Sequence, residues 1–179
     1  MRATFRHIHR SVSPQRLLVA TFAAAIAIGA ALLATPLANA DGRWRLSVDA
    51  LFLATSGVCV TGLDPVGIGT SLSGFGLCVL LLLVELGGLG IMTVGTFFFI
   101  ALGRRLSHSE EDAIMNALGV GRVGNVPSII RSTLVFTLLW EVVGTVLIAH
   151  RLRTAYGFAP GEAVWNGLFM SVMAFCNAG

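Results

Sequence analysis

Two windows of the sequence share the pattern that decides the fold: VDALFLATSGVCVTG at 48–62 and WNGLFMSVMAFCNAG at 165–179. Four identities align without a gap at an offset of 117 residues: Leu51 with Leu168, Phe52 with Phe169, Cys59 with Cys176, and Gly62 with Gly179. Each window follows an apolar run and a polar connection. This pattern predicts an internal repeat whose unit is a membrane span, a short re-entrant helix, an extended segment that ends in glycine, and a second span.

The predicted unit has the chemistry of a cation site. A short helix that enters a membrane from outside carries about half a negative charge at the C-terminus that it points inward. The carbonyls of non-helical backbone can replace the hydration shell of a cation, and such backbone is tolerated at membrane depth only where it is buried or lines a cavity. The alternative is that the segment 58–62 is an extracellular turn and the short helix lies at the interface.

The composition supports a membrane protein. The 179 residues are 55% hydrophobic and 12% charged, with a mean hydropathy of +0.84, whereas soluble domains carry about 25% charged residues. The basic residues are all arginines beside apolar runs, which favours membrane edges over nucleic acid as their partner. The three cysteines form no CxxC motif and no Cys/His cluster, so they predict neither a disulfide framework nor a zinc site.

The runs of apolar residues predict an all-α integral membrane protein. The predicted segments are a basic cytoplasmic N-terminus (1–16), spans at 17–35, 71–103 and 127–149, a cytoplasmic connection (104–126), and pore helices with filters at 47–63 and 161–179. The first span is roughly 28 Å long as a helix, close to the bilayer core of about 30 Å. Cleavage of a signal peptide at Ala38-Asn39-Ala40 is the alternative, but the apolar run exceeds the usual length.

Polar residues inside the predicted spans are hypotheses for function. Glu85 and Glu141 each interrupt an apolar run, and ionisable groups there face the protein interior and have a partner. The alternative for Glu85 is a hydrogen bond to serine, threonine or backbone. Glu141 is interpreted as a structural carboxylate that pairs with an arginine of a neighbouring repeat, with direct ion binding as the alternative. Cys59 and Cys176 are interpreted as small filter residues rather than a disulfide or metal pair. The absence of a nucleophile with a neighbouring base argues against an enzyme.

Five blocks in order resemble the Trk/Ktr/HKT potassium-uptake superfamily: DALFLATSGVCVTGL (49–63), VELGGLGIMTVGTF (84–97), ALGRRLSHSEED (101–112), WEVVGTVLIAHR (140–151) and FMSVMAFCNAG (169–179). The resemblance implies four non-identical repeats in one chain, each contributing one filter glycine. It also implies K⁺ uptake, with Na⁺ in some members, across the plasma membrane. A homodimer and a cytoplasmic nucleotide-binding regulatory subunit are implied as well.

The resemblance assigns the filter residues. The first filter would be Val58, Cys59, Val60, Thr61 and Gly62, and the second Phe175, Cys176, Asn177, Ala178 and Gly179, with K⁺ held by their carbonyls. Many members have Gln at the position of Glu85. The chain holds one complete repeat and part of a second, so a fragment of a longer protein is expected. A pore assembled from separate chains and a non-conducting membrane scaffold remain the alternatives.

The arginines predict the orientation. With the N-terminus in the cytoplasm, eight arginines lie on the inner side and four on the outer side. An excess of arginine in cytoplasmic loops is the usual arrangement of membrane proteins. The expected topology is therefore multi-pass with a cytoplasmic N-terminus.

Overall fold

The architecture is helical throughout the part of the chain that the computed structural model describes, residues 14–90 and 126–179. The helices are α1 (Pro14–Ala34), α2 (Ser47–Val58), α3 (Ile68–Ser71), α4 (Gly74–Gly88), α5 (Val126–Tyr156) and α6 (Pro160–Phe175), with a 3-10 turn at Pro36–Ala38. In these ranges the β-structure is limited to an isolated bridge between Asn39 and Leu72. The N-terminal part of the basic segment and the predicted features at 91–125, including the connection, lie outside the described residues.

Two long helices each pack against a short one. α1 packs against α2, and α5 packs against α6, so the order of long helix, connection and short helix occurs twice. α4 packs against α1 and α2 and also contacts α6. The core of the first unit includes Leu33, Leu53 and Leu83, which are almost completely buried. The helices approach closely at Gly29, where an added Cβ would lie 2.6 Å from Leu83 Cδ1.

α4, the helix that follows the first short helix and its turn, is shorter than the predicted span at 71–103. α4 begins at Gly74 because Leu72 is extended and bridges to Asn39, and the Ser73 hydroxyl caps the helix by accepting from the Gly76 N–H at 3.2 Å. α4 ends at Gly88, and Gly90 takes a left-handed φ of 79°. A left-handed glycine ends a helix, so the apolar run is not one continuous helix.

The Ala38-Asn39-Ala40 segment is part of the packed structure. Ala38 is completely buried and its carbonyl accepts from the Ser73 N–H at 3.0 Å. The Asn39 side chain donates to the carbonyls of Thr35 at 2.8 Å and Arg43 at 3.1 Å, and its oxygen accepts from Arg45 Nε at 2.6 Å. These contacts tie the end of α1 to the start of α4.

α5 has an apolar outer face and a polar inner one. Its Arg131–Tyr156 portion is, within the described ranges, the one helical segment long and apolar enough to cross a membrane. Buried on its inner face are Thr137 and Glu141, 2% and 5% exposed, whereas Leu139 and Val146 are more than half exposed. Polar residues turned inward and apolar residues turned outward are typical of a helix surrounded by hydrocarbon. Shorter apolar helices cover Val19–Ala34, Ser47–Val58 and Gly74–Gly88.

Candidate functional site

The two short helices end in the same way at equivalent positions. α2 ends at Val58 and α6 at Phe175, which are 117 residues apart. The turns that follow are called the first turn (58–62) and the second turn (175–179). In the first turn Cys59, Val60 and Thr61 donate their N–H groups to the carbonyls of Thr55, Gly57 and Ser56 at 2.8, 3.1 and 2.9 Å. In the second turn Cys176, Asn177 and Ala178 donate to Val172, Ala174 and Met173 at 2.9, 3.1 and 2.8 Å. Every one of these bonds repeats at the offset of the sequence repeat.

Left-handed backbone recurs at the same places in both turns. Val60 and Asn177 have φ of 55° and 58°, and Gly62 and Gly179 have φ of 70° and 87°. The bonds around Val60 and Asn177 are those of a Schellman motif, which satisfies the last carbonyls of a helix. The sequence predicted extended backbone here, and that expectation was wrong at Val60 and Asn177 because the helix-capping bonds force a left-handed residue. A β-branched valine in this region is an outlier, so the surroundings hold the first turn in place.

The two turns meet at their glycines. A Cβ on Gly62 would lie 2.5 Å from the Ala178 carbonyl oxygen and 2.7 Å from Gly179 Cα. A Cβ on Gly179 would lie 3.0 Å from Gly62 Cα. Glycine is therefore required at both positions for two reasons: the left-handed φ and the contact between the backbones. The structure thus brings together residues that the sequence separates by 117 positions.

Ser56 holds the first turn in a way that sequence reasoning missed. Its hydroxyl donates to the Leu63 carbonyl at 2.9 Å and accepts from the Leu63 N–H at 2.9 Å and from Thr61 Oγ1 at 3.0 Å. The side chain is 7% exposed, so these bonds are shielded from water. Met173 occupies the equivalent place before the second turn and has no hydroxyl. The hydroxyl residue near the end of the predicted short helix, just before the turn, was the signal that could have indicated this role.

The end of α4 lies behind both turns. A Cβ on Gly87 would meet the Val58 carbonyl and would lie 2.9 Å from Val60 Cγ2. A Cβ on Gly88 would lie 2.5 Å from Cys176 Sγ. Gly87 and Gly88 therefore let α4 approach the backbone and side chains of the turns closely.

The remaining sequence-predicted residues divide into two groups. Cys59, Thr61, Asn177 and the two glycines are exposed at the surface of the turns, whereas Ala178 is buried. All three cysteines lie in the described ranges and are free, so Cys59 and Cys176 are not joined. Cys176 instead lies beside Glu85, with Sγ 3.6 Å from Oε2.

The electrostatics of the turns favour a cation. The C-termini of α2 and α6 lie next to each other, and each carries about half a negative charge from the helix dipole. Backbone carbonyls in the turns add oxygen ligands without formal charge. The negative ends of the two helices make this part of the molecule more favourable for a cation than for an anion.

The chain is similar to known cation transport proteins over nearly its whole length. Residues 12–179 match the family model described as TrkH, cation transport protein. The chain is 32% identical over 97% of its length to the potassium/sodium uptake protein NtpJ of Enterococcus hirae, and 32% identical over its whole length to the Ktr system potassium uptake protein D of Bacillus subtilis. It is 34% identical over 92% of its length to the Ktr system potassium uptake protein B of Vibrio alginolyticus. The chain spans 38%, 40% and 35% of the lengths of these three relatives.

Proposed function

The chain belongs to the TrkH family of cation transport proteins, and on that premise we propose that it forms part of the ion pathway of a potassium-uptake protein. The first and second turns act as two sides of a selectivity filter whose ligands are backbone carbonyls. The filter residues are Val58, Cys59, Val60, Thr61 and Gly62 with Cys176, Asn177, Ala178 and Gly179. K⁺ is the proposed transported ion and Na⁺ is the alternative, since the relatives are named as potassium and potassium/sodium uptake proteins.

The observation that carries the proposal is the contact between Gly62 and Gly179. Two helix ends with the same capping bonds meet there through backbone. A pore needs its ligand loops to converge on one axis, and two equivalent loops that touch at equivalent residues are consistent with neighbouring sides of such an axis. The remaining sides come from repeats beyond those in this chain. A membrane potential draws the cation inward with about 2.3 kcal/mol per charge per 100 mV.

The proposal extends to the setting of the pathway. The protein lies in the plasma membrane with a cytoplasmic N-terminus, and α1 and α5 are spans whose exposed apolar faces contact lipid. It assembles as a homodimer, and a cytoplasmic nucleotide-binding subunit regulates it. It acts as a transporter and not as an enzyme. The internal repeat favours one chain with several repeats over a pore assembled from separate single-repeat chains.

The test is a matched pair of glycine substitutions in the intact protein, reconstituted in vesicles. Gly62→Ser adds a side chain against the second turn, whereas Gly157→Ser adds one at the same φ of 70° in open space. We expect Gly62→Ser to lower Rb⁺ or K⁺ uptake, or to let Na⁺ compete more strongly. Gly157→Ser should leave both unchanged.

Two results would contradict the proposal. Unchanged uptake and unchanged competition by Na⁺ in Gly62→Ser would remove the first turn from the filter. Absence of any ion flux in the reconstituted wild-type protein, with its regulatory subunit present, would favour the non-conducting scaffold.

A further inference from the structure

Three side chains that are distant in the sequence meet behind the second turn. Glu85 lies near the end of α4, Glu141 in the middle of α5, and Cys176 directly after α6. Each offers one ligand atom, and these atoms lie within 4.8 Å of one another. The Cys176 thiol sulfur is 3.6 Å from Glu85 Oε2. Sequence spacing predicted no metal site because each ligand comes from a different helix.

One oxygen of the buried Glu141 carboxylate lacks a hydrogen-bond partner among the described residues. The Glu141 side chain is 5% exposed, and Oε1 has no hydrogen-bond partner among the residues that the structure describes. Thr145 and Ser171 both donate to the backbone carbonyl of Glu141, at 2.7 and 2.8 Å, and not to its carboxylate. A buried polar oxygen without a partner costs several kcal/mol. The cluster therefore presents an oxygen that needs a proton, a cation or another donor.

We propose that Glu85, Glu141 and Cys176 bind a divalent cation of the Zn²⁺ class. Carboxylate oxygen and thiolate sulfur are both zinc ligands. Zinc sites with three protein ligands are common, and a water or another small ligand takes the fourth position. The sulfur selects against Mg²⁺, Ca²⁺ and the transported alkali cations, which prefer oxygen. Binding releases to solvent the proton of the Cys176 thiol and the proton shared by the two carboxyl groups. The metal's two positive charges then offset two of the three negative charges of the ligands.

The metal would join the second turn to α4 and α5. Cys176 donates its N–H to Val172 and caps α6, so a metal on its sulfur restrains the end of that helix. Gly88 makes the approach possible, because a Cβ there would overlap the Cys176 side chain. Any effect on transport rests on the proposed function of the turns. The binding itself does not depend on it.

The experiment measures binding of Cd²⁺, as a zinc-class probe, to the purified intact protein in detergent, by calorimetry and by the ultraviolet thiolate-to-metal absorption band. We expect Glu141→Gln to weaken Cd²⁺ binding by at least about tenfold, since ligand-shell changes cost about 10- to 100-fold in metal affinity. Cys176→Ser should abolish the absorption band. Cys59→Ser is the matched control, because Cys59 occupies the equivalent place in the first turn, is exposed and lies outside the cluster.

The outcomes separate the possibilities. Loss of the band in Cys59→Ser, or Cd²⁺ affinity in Glu141→Gln equal to that of the wild type, would overturn the site. If Glu141→Gln does not fold, Glu85→Gln provides the same comparison at the half-buried carboxylate. Because Cd²⁺ binding and K⁺ uptake are measured separately, Cd²⁺ binding without K⁺ uptake would retain the site and reject the proposed function. K⁺ uptake without Cd²⁺ binding would do the reverse.

Discussion

Replacing Gly87 with alanine is expected to disturb the first turn through packing alone. The added methyl group meets the Val58 carbonyl, and it would lie 2.9 Å from the carbonyl carbon and from Val60 Cγ2. The end of α2 holds Val58 and Val60 in place. Because the contact is with backbone and not with a flexible side chain, the backbone itself has to shift. Overpacking of this kind costs about 1–3 kcal/mol, while Gly→Ala inside a helix gains up to about 1 kcal/mol. The net destabilisation is therefore about 0–2 kcal/mol.

The same shift of backbone should change ion selectivity. A shift of the Val58 and Val60 backbone changes the carbonyl positions that the filter proposal depends on. If about 1–2 kcal/mol of the destabilisation reduces K⁺ binding relative to Na⁺ binding, the ratio of K⁺ to Na⁺ uptake changes by about 5- to 30-fold. The assay is Rb⁺ uptake into vesicles with Na⁺ as competitor, together with thermal unfolding in detergent.

The control for this prediction lies in the same helix. Gly74→Ala adds the same methyl group at the start of α4, where nothing lies within 4 Å. It should keep wild-type selectivity and unfold at the same temperature or slightly higher. Equal selectivity in Gly87→Ala and Gly74→Ala would refute the reasoning that α4 sets the position of the first turn.

Two further predictions concern the short helices. Ser56→Ala removes the hydroxyl that bonds Thr61 and Leu63, and it should cost about 1–3 kcal/mol and weaken discrimination against Na⁺; wild-type unfolding and selectivity would contradict the bracing role. Gly144→Ala should destabilise the contact between α5 and α6, because the added Cβ would overlap the Ser171 side chain and lie 3.2 Å from the Ser171 Cβ. Adding Ser171→Gly should restore most of the loss in a double-mutant cycle of unfolding free energies, and strict additivity would contradict the contact.

The helices that carry the turns were predictable because their signals are local. The shared Leu-Phe, Cys and Gly positions predicted two short helices with equivalent ends, and α2 and α6 end 117 residues apart. The family was identified from blocks of sequence, and the match over residues 12–179 confirms it. The glycine requirement at Gly62 also follows from local sequence, since glycine tolerates the left-handed backbone that such a turn needs.

The contacts between elements were not predictable in the same way. The left-handed Val60 contradicts the local preference of valine and depends on capping bonds and on packing against α4. The break after Gly88 interrupts an apolar run whose composition indicated one helix. The meeting of Glu85 with Cys176 depends on how α4 and α6 pack, and no periodicity in the sequence encodes a distance between residues 91 positions apart.

The most direct test of the central claim is to locate the ion in the intact protein. Crystals grown with Tl⁺ or Rb⁺ in place of K⁺ would give anomalous density at every ordered cation. The account predicts a peak on the axis between the two turns, coordinated by carbonyls of Thr61 or Gly62 and of Ala178 or Gly179. Clear anomalous peaks elsewhere in the protein, with none between the turns, would contradict it.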